Sequence, residues 1–522
     1  MKKAMALFLA AAMTVSALAG CGGGGGGTTA AASESAGGTA AANAVSGSKE
    51  NAVVIGMDAD PGTFNPWGST STALLRLKWN VFQPLFYLNT EKELIPILAE
   101  SYEQVDATHY TVRLKQNIKD SAGNPIKASD VVFSMQQAAD GPMANTFKYA
   151  DPSTFQAVDD YTVSLEFLQE TEYAFTSVVK QIPIVSEAAY KADPNEMVNM
   201  PVGTGPYVLS DWTVGSSLTF TKNADYWDTD PTPMFSQNMD EITYRIISEG
   251  AQRAIELETG AIDIMYDCQA TDLSRFQNND AYVADIQDGS KVLNCYFNCS
   301  DNSPCADVRI RQAIAYAIDS QAVAVAACEG LGNASFSIAH PVTMEWREAY
   351  RSEVLYPQNI EKAKSLLSEA GYQPGELTIS IMADETAIKR ASAQIIQAAC
   401  SEIGINVEIQ QLESAVFQAN IGDRTAWDAY MGVNQSEIYA GALMTTQIEK
   451  TGYTGKELLD AIDKAFTVYD EATSDAAVQL WDQEIPILPL VNVQQVYVYK
   501  AGLKNVNVQI DTTFWPGEMT WE

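Results

Sequence analysis

Asp120-Ser121-Ala122-Gly123-Asn124-Pro125-Ile126-Lys127-Ala128-Ser129-Asp130-Val131-Val132-Phe133-Ser134 holds a change of regime. Gly-Asn-Pro is turn chemistry: glycine supplies positive φ, and proline fixes φ while removing a donor. Upstream, Tyr110, Val112 and Leu114 alternate with polar residues, the period of a half-buried strand. Downstream, Ser129 or Asp130 is placed to cap a helix that runs through Val131. The stretch therefore predicts a hairpin closed by a turn, then a helix.

Further out, both periods recur. Tyr161, Val163, Leu165 and Phe167 alternate, as do Ile242, Tyr244 and Ile246, and Val493 to Tyr499 reads as another strand. Helical spacing links Ile310, Ala313, Ile314, Ala317 and Ile318. It returns at Ala363, Leu366, Leu367 and Ala370, where Gly371 supplies a left-handed stop. No fixed-period repeat is visible. The fold class is α/β, mixed α+β, with several sheets.

The start of the chain has a different character. Lys2 and Lys3 precede an uncharged apolar stretch from Ala4 to Leu18, then Leu18-Ala19-Gly20-Cys21 and six glycines. A cationic start, a short apolar core and small residues before a cut describe an export signal. The stretch is shorter than the ~20 residues of a membrane-spanning helix. The Cys after Leu-Ala-Gly resembles the bacterial lipobox, which implies a signal peptide over residues 1–20 and a lipid on Cys21. Residues 21–50 are Gly, Ala, Ser and Thr with almost no large apolar side chain, a flexible spacer on a lipid anchor. Order is expected to begin near Val53.

The chain has 522 residues and a net charge of −34. That much acid repels nucleic acid and anionic lipid, so the expected body is soluble, held to the membrane only by its anchor, binds no nucleic acid and is a monomer. Six cysteines remain besides Cys21: Cys268, Cys295, Cys299, Cys305, Cys328 and Cys400. Their spacings match no zinc pattern, and only His109 and His340 could join them. One or two disulfides or plain buried thiols are expected ahead of a metal site, and no cofactor motif is present.

Many short stretches, in order, resemble the family 5 extracytoplasmic solute-binding proteins of ABC importers, the peptide and nickel type. They include Asp60-Pro61-Gly62-Thr63-Phe64-Asn65-Pro66, Val81-Phe82-Gln83-Pro84-Leu85, the Asp120–Ser134 stretch, Gly203-Thr204-Gly205-Pro206-Tyr207 and Asn223-Ala224-Asp225-Tyr226-Trp227. Leu257 to Asp263, Asp307 to Ile314, Ala363 to Tyr372 and Gly404 to Val407 continue the series. The resemblance implies two hinged lobes of periplasmic-binding-protein type with an inserted subdomain, and ligand enclosed on closure. The expected organisation is lobe 1 from 51–88, 197–298 and 486–522, the insert from 89–196, and lobe 2 from 299–485.

In peptide-binding members of this family, an acidic residue in a Trp-x-Ala-Asp-like stretch holds the ligand's α-ammonium. Here Asn434-Gln435-Ser436-Glu437-Ile438-Tyr439 follows Trp427-Asp428-Ala429-Tyr430 and places Glu437 there. Asn434 replaces the Trp of that pattern. The other expected ligand contacts are Phe64, Trp67, Thr204, Tyr266, Asn298, Trp427, Asn434 and Tyr439. Two histidines are too few for an all-protein nickel cage, so peptide ranks above nickel. An oligosaccharide, an opine or a chelated metal is the alternative cargo, and a receptor that signals without transport is a third reading.

An enzyme reading also exists. Ser177-Val178-Val179-Lys180, Ser300-Asp301-Asn302 and Lys450-Thr451-Gly452 match the three motifs of penicillin-binding proteins and serine β-lactamases. Each is short enough to recur by chance, their gaps are too long for those families, and Ser177 beside Phe175 and Val178 reads as core. No phosphate loop and no Gly-x-Ser-x-Gly elbow is present. The sequence therefore predicts a binding protein, not an enzyme, with a short peptide or other small solute and an ABC permease as partners.

Overall fold

Alternation does build the strands. In the computed structural model, which describes residues 51–170, 172–435, 439–467, 470–509 and 513–522, Tyr110, Val112 and Leu114 point into the core from a strand at His109–Leu114. The turn that follows is held by Asp120, whose Oδ1 accepts the backbone N–H groups of Ala122 and Asn124, with Gly123 at φ 86°. The helix spans Ala128–Ala139, but its cap is Lys127, not Ser129 or Asp130. Asp130 sits three residues in and reaches back, its Oδ2 accepting the Lys127 N–H at 2.8 Å. Its Oδ1 takes the Glu187 N–H, tying two helices together. Cys21 and Glu437 lie outside the described residues.

The strands in chain order are β1 (Ala52–Met57), β2 (Phe86–Leu88), β3 (Leu94–Pro96), β4 (Ala99–Gln104), β5 (His109–Leu114), β6 (Gln156–Ala157), β7 (Thr162–Glu166), β8 (Tyr207–Thr213) and β9 (Ser217–Lys222). They continue with β10 (Glu241–Ile246), β11 (Ile264–Met265), β12 (Tyr282–Phe297), β13 (Gly332–Ala334), β14 (Leu377–Asp384), β15 (Ile405–Leu412), β16 (Ala429–Gln435), β17 (Ile487–Lys500), β18 (Leu503–Lys504) and β19 (Thr520–Trp521). The main sheet runs β15-β14-β16-β12-β17-β11-β1-β10-β9-β8, with β13 beside β17. The insert carries a second sheet, β4-β5-β7-β6.

Two long antiparallel strands carry the chain between lobes. β12 and β17 pair from Tyr282 opposite Lys500 to Tyr296 opposite Ile487. Near Lys500 they flank β11 and β1 of lobe 1; near Ile487 they flank β16 and β14 of lobe 2. The register slips between Asp288 and Lys291, leaving Gly289 and Ser290 outside the ladder. A Cβ on Gly289 would lie 2.4 Å from the Val493 carbonyl oxygen, so this bulge admits only glycine without a backbone shift. A second slip falls at Pro489, which has no N–H to give the ladder.

The cores follow this division. Lobe 1 and the insert share one cluster, from Val53 and Ile55 through Val112, Leu165 and Phe175 to Tyr497 and Met519. Lobe 2, joined by the ends of β12 and β17, packs Leu293, Ile314, Leu367, Ile381 and Ile405 on one face of its sheet and Tyr296, Met382, Tyr430 and Trp481 on the other. Gly203 and Gly205 explain their motif: a Cβ on either would come within 2.6 Å of Val81 backbone atoms, and the Gly205 N–H donates to the Val81 carbonyl at 2.7 Å. All six cysteines from Cys268 to Cys400 are buried as free thiols rather than disulfides. No described helix is long and apolar enough to cross a membrane.

Candidate functional site

On the lobe 1 side, the site begins where β1 and β11 end. These strands are parallel, so their carboxyl ends come out together at Asp58 and at Tyr266-Asp267, the place where α/β sheets open a cleft. Arg76 projects there from the Thr72–Leu77 helix, which Ser71 caps by accepting the Leu74 N–H. Its guanidinium donates to Asp58 at 2.9 Å and to Asp267 at 2.6 Å, and lies 4.1 Å from the centre of the Tyr266 ring. Burial works against the arginine's charge, but Asp267, Tyr266 and Asp58 outweigh it and hold its pKa above the usual value. Behind it, Tyr266 stacks on Phe514 at 4.2 Å.

The lobe 2 side is lined by amides and phenols. Tyr296 of β12 stacks on Tyr430 of β16 at 4.4 Å and donates through its hydroxyl to Gln447 Oε1 at 2.8 Å. Lys450 Nζ donates to the same oxygen at 2.8 Å, and burial lowers the lysine's pKa. Asn294 Nδ2 donates to the Val292 carbonyl and to Asn434 Oδ1. Asn492 of β17 lies opposite Val292 and keeps a buried Oδ1 with no hydrogen-bond partner among the described residues. Toward lobe 1 on the same strand, Gln495 accepts the Tyr497 hydroxyl at 3.0 Å. Side-chain amides offer both donors and acceptors, so this wall suits a ligand rich in the same groups.

Between the insert and lobe 2 the two sides touch. Phe466 of lobe 2 packs 4.5 Å from Tyr149 and 5.5 Å from Tyr173 of the insert. Tyr173 also meets Tyr439 at 6.2 Å, with Ala442 and Met344 completing the apolar seam. Lys92, in the loop between β2 and β3, donates from Nζ to the Thr343 carbonyl of lobe 2. Two residues on, Glu345 is buried. Burial raises its carboxyl pKa, while the Ala440 N–H and Lys92 pull it back.

The expected contacts fall into two groups. Asn434 and Tyr439 stand on the lobe 2 wall and at the seam, and Tyr266 supports Arg76 from behind. The others serve the cores. Phe64 is fully buried edge-on to Trp212 and Phe220; Trp67 donates to the Pro183 carbonyl and packs on Tyr190. Thr204 is buried and gives its carbonyl to Trp227. Asn298 Nδ2 donates to the Trp427 carbonyl, and Trp427 Nε1 to that of Asn420, inside lobe 2.

Arg76, Tyr296, Gln447, Phe466 and Glu345 carry no local sequence signal. Ser177 is buried in the insert helix Glu172–Gln181, whereas Ser300 and Lys450-Thr451-Gly452 belong to lobe 2. Among the described residues, no cluster of three His, Cys, Asp or Glu side chains is placed to hold a metal ion.

The model of bacterial extracellular solute-binding proteins, family 5 Middle, matches residues 93–444. The glutathione-binding protein GsiB of Escherichia coli (strain K12) is 26% identical over 493 residues, covering 88% of this chain and 93% of that protein. The ABC transporter substrate binding protein CtaP of Listeria monocytogenes superposes with a TM-score of 0.78 at 20% identity, over 90% of this chain and 99% of that one. AgaA of A. tumefacien R10, solved in complex with agropinic acid, gives a TM-score of 0.70 at 24% identity, over 90% and 99%. These structures share the two-lobed fold.

Proposed function

The chain belongs to the family 5 bacterial extracellular solute-binding proteins, and from that membership we propose that it captures short peptides between its lobes and delivers them to an ABC permease while tethered to the membrane by a lipid on Cys21. The observation that carries the peptide reading is the amide wall of Asn294, Asn434, Gln447 and Asn492. A peptide repeats the same donor and acceptor along its backbone, so it can be gripped without regard to its side chains, which water accommodates at little cost. Capture needs no chemistry. The protein has only to prefer its closed form when loaded. Glu437, three residues before the Ala440–Thr451 helix, is the sequence's candidate for holding the α-ammonium.

A thermal-shift panel of di- and tripeptides, glutathione, opines and oligosaccharides tests this reading. A ligand at 100 times its Kd adds about 2.7 kcal/mol of stability. Peptides are expected to raise the melting temperature and sugars to leave it unchanged; the reverse result removes the peptide assignment. Glu437→Gln is expected to weaken an amine-bearing peptide and not its N-acetylated form.

The anchor is tested separately. Thioether-linked acyl chains contribute about 0.8 kcal/mol per buried CH₂ to membrane binding, and a stable anchor needs more than one chain. Cys21→Ser is therefore expected to release the protein into the medium or periplasm. A variant that stays with the membrane fraction rules out the lipid. A flexible spacer over residues 21–50 would keep the body within reach of its permease and raise its effective concentration there.

A further inference from the structure

Glu345 is 1% exposed, at the seam between lobe 2 and the insert. Its Oε2 accepts the N–H of Ala440, the first residue of the Ala440–Thr451 helix, at 2.8 Å. Its Oε1 is buried and has no hydrogen-bond partner among the described residues. Neither nearby cation bonds to it among the described residues, although the charge of Lys92 acts on it. Lys92 gives its ammonium to the Thr343 carbonyl, and Arg347 is bound to Glu471 and Asp475. Tyr439, next to Ala440, faces Tyr173 across the seam.

A buried carboxylate oxygen without a donor is costly, and folded proteins leave few of them. Here one oxygen is fixed by the helix N-terminus, so the carboxylate cannot turn to satisfy the other. A donor supplied from outside the lobe would satisfy it. An ammonium has three N–H donors and a full charge, and its bond to a carboxylate is among the strong ones. A hydroxyl or amide would fill the geometry but leave the charge.

We propose that Glu345 is a specificity-determining residue, whose Oε1 receives a protonated amine of the bound solute when the lobes close. The inference rests on the peptide reading above and names a second carboxylate, in addition to Glu437, for the ligand's one amine. It makes amine-bearing ligands better than their N-acylated counterparts through a residue of the His340–Arg347 loop. Glu345→Gln keeps the volume and the acceptor for Ala440, and removes only the charge and one acceptor oxygen.

The test is isothermal titration of wild type and Glu345→Gln with di- and tripeptides and glutathione, each paired with its N-acetylated form. Losing one partner of a buried charged pair weakens binding by about 30-fold or more. That loss is expected for the free amines, with the acetylated forms within about twofold of wild type. Melting temperatures without ligand establish that the variant is folded; Glu345→Asp, which keeps the charge but withdraws it, replaces it if not and is expected to show the same selective loss. Equal losses on both members of each pair, or none, overturn the role of Glu345 and leave the peptide reading standing. A wild-type protein that binds no peptide in the panel overturns both.

Discussion

Truncating Phe466 to alanine is expected to weaken the best-bound solute by about 5- to 150-fold. The ring is 5% exposed and meets Tyr149 and Tyr173 of the insert. Each aromatic pair is worth about 0.5–1.5 kcal/mol beyond the area it buries. Two pairs give about 1–3 kcal/mol, and every 1.4 kcal/mol is tenfold in affinity. The loss falls on the closed form alone, because opening the lobes parts these rings anyway. Affinity drops since a smaller fraction of the protein is competent to hold ligand.

Folding stability should change far less. Phe466 lies outside the lobe 2 core that Leu458, Ile462 and Ala465 of the same helix help to build. A double-mutant cycle with Tyr149→Ala separates the seam from any local defect. Residues in contact couple by about 0.5–3 kcal/mol, whereas independent sites add within about 0.3–0.5. Small-angle scattering should show a larger radius of gyration for the unliganded variant than for wild type. Additive affinities and an unchanged radius would mean that the seam does not bias closure.

Much of the fold is legible in the sequence because its elements are local. Tyr110, Val112 and Leu114 announce a strand by alternation, and Gly371 ends its helix at φ 94°. The glycines of Gly203-Thr204-Gly205 mark a backbone approach that the sequence signals without saying to what. The long β12 is not legible. It passes through Asp285, Asp288, Gly289 and Lys291, which no period of two accommodates, and it is a strand because β17 pairs with it. The helix start differs from the sequence expectation for a local reason: Asp130 does cap, but from the third helical position back to Lys127.

The site is harder to read for a related reason. Aromatic residues after a strand read as a ligand surface, yet a large ring gains more from burial, and Phe64 and Trp67 go to the core. What brings Lys92 to Thr343 is a contact across 251 residues of chain, and the seam likewise joins Tyr149 to Phe466. Neither end carries a mark of the other. Glu437, which the family resemblance singles out, lies outside the described residues, while Tyr439 two residues on faces Tyr173 of the insert.

Acid provides the second large effect, and it divides between two buried groups of opposite sign. Burial, aided by the charge of Lys92 and opposed by its own backbone bond, leaves His340 with a pKa of about 3, down from 6.5. Between those values the unfolded chain takes a proton that the native protein refuses. The histidine's contribution is therefore complete above pH 6.5 and is lost as pH falls toward 3. Asp482 is the reverse. Burial lifts its pKa from 3.8 to about 7, against bonds from Ser337 and the Ile338 N–H. The native protein holds a proton that the unfolded chain gives up, so this contribution is complete below pH 3.8 and is lost as pH rises through 7.

A tenfold change in proton affinity between the folded and unfolded chain corresponds to about 1.4 kcal/mol, so the histidine alone is worth on the order of 5 kcal/mol across its window. Wild type is expected to be flatter than either variant from pH 7 to 4.5, because the two slopes oppose. His340→Gln should gain stability relative to wild type on acidification, by about 2–3 kcal/mol at pH 4.5. Asp482→Asn should lose it over the same range. Carboxylates such as Asp307, held below the usual range by Arg309, also cost stability in acid. They do so equally in all three proteins, and the differences between urea-unfolding curves cancel them. Curves for His340→Gln that run parallel to wild type at every pH would show that this histidine titrates normally in the folded protein.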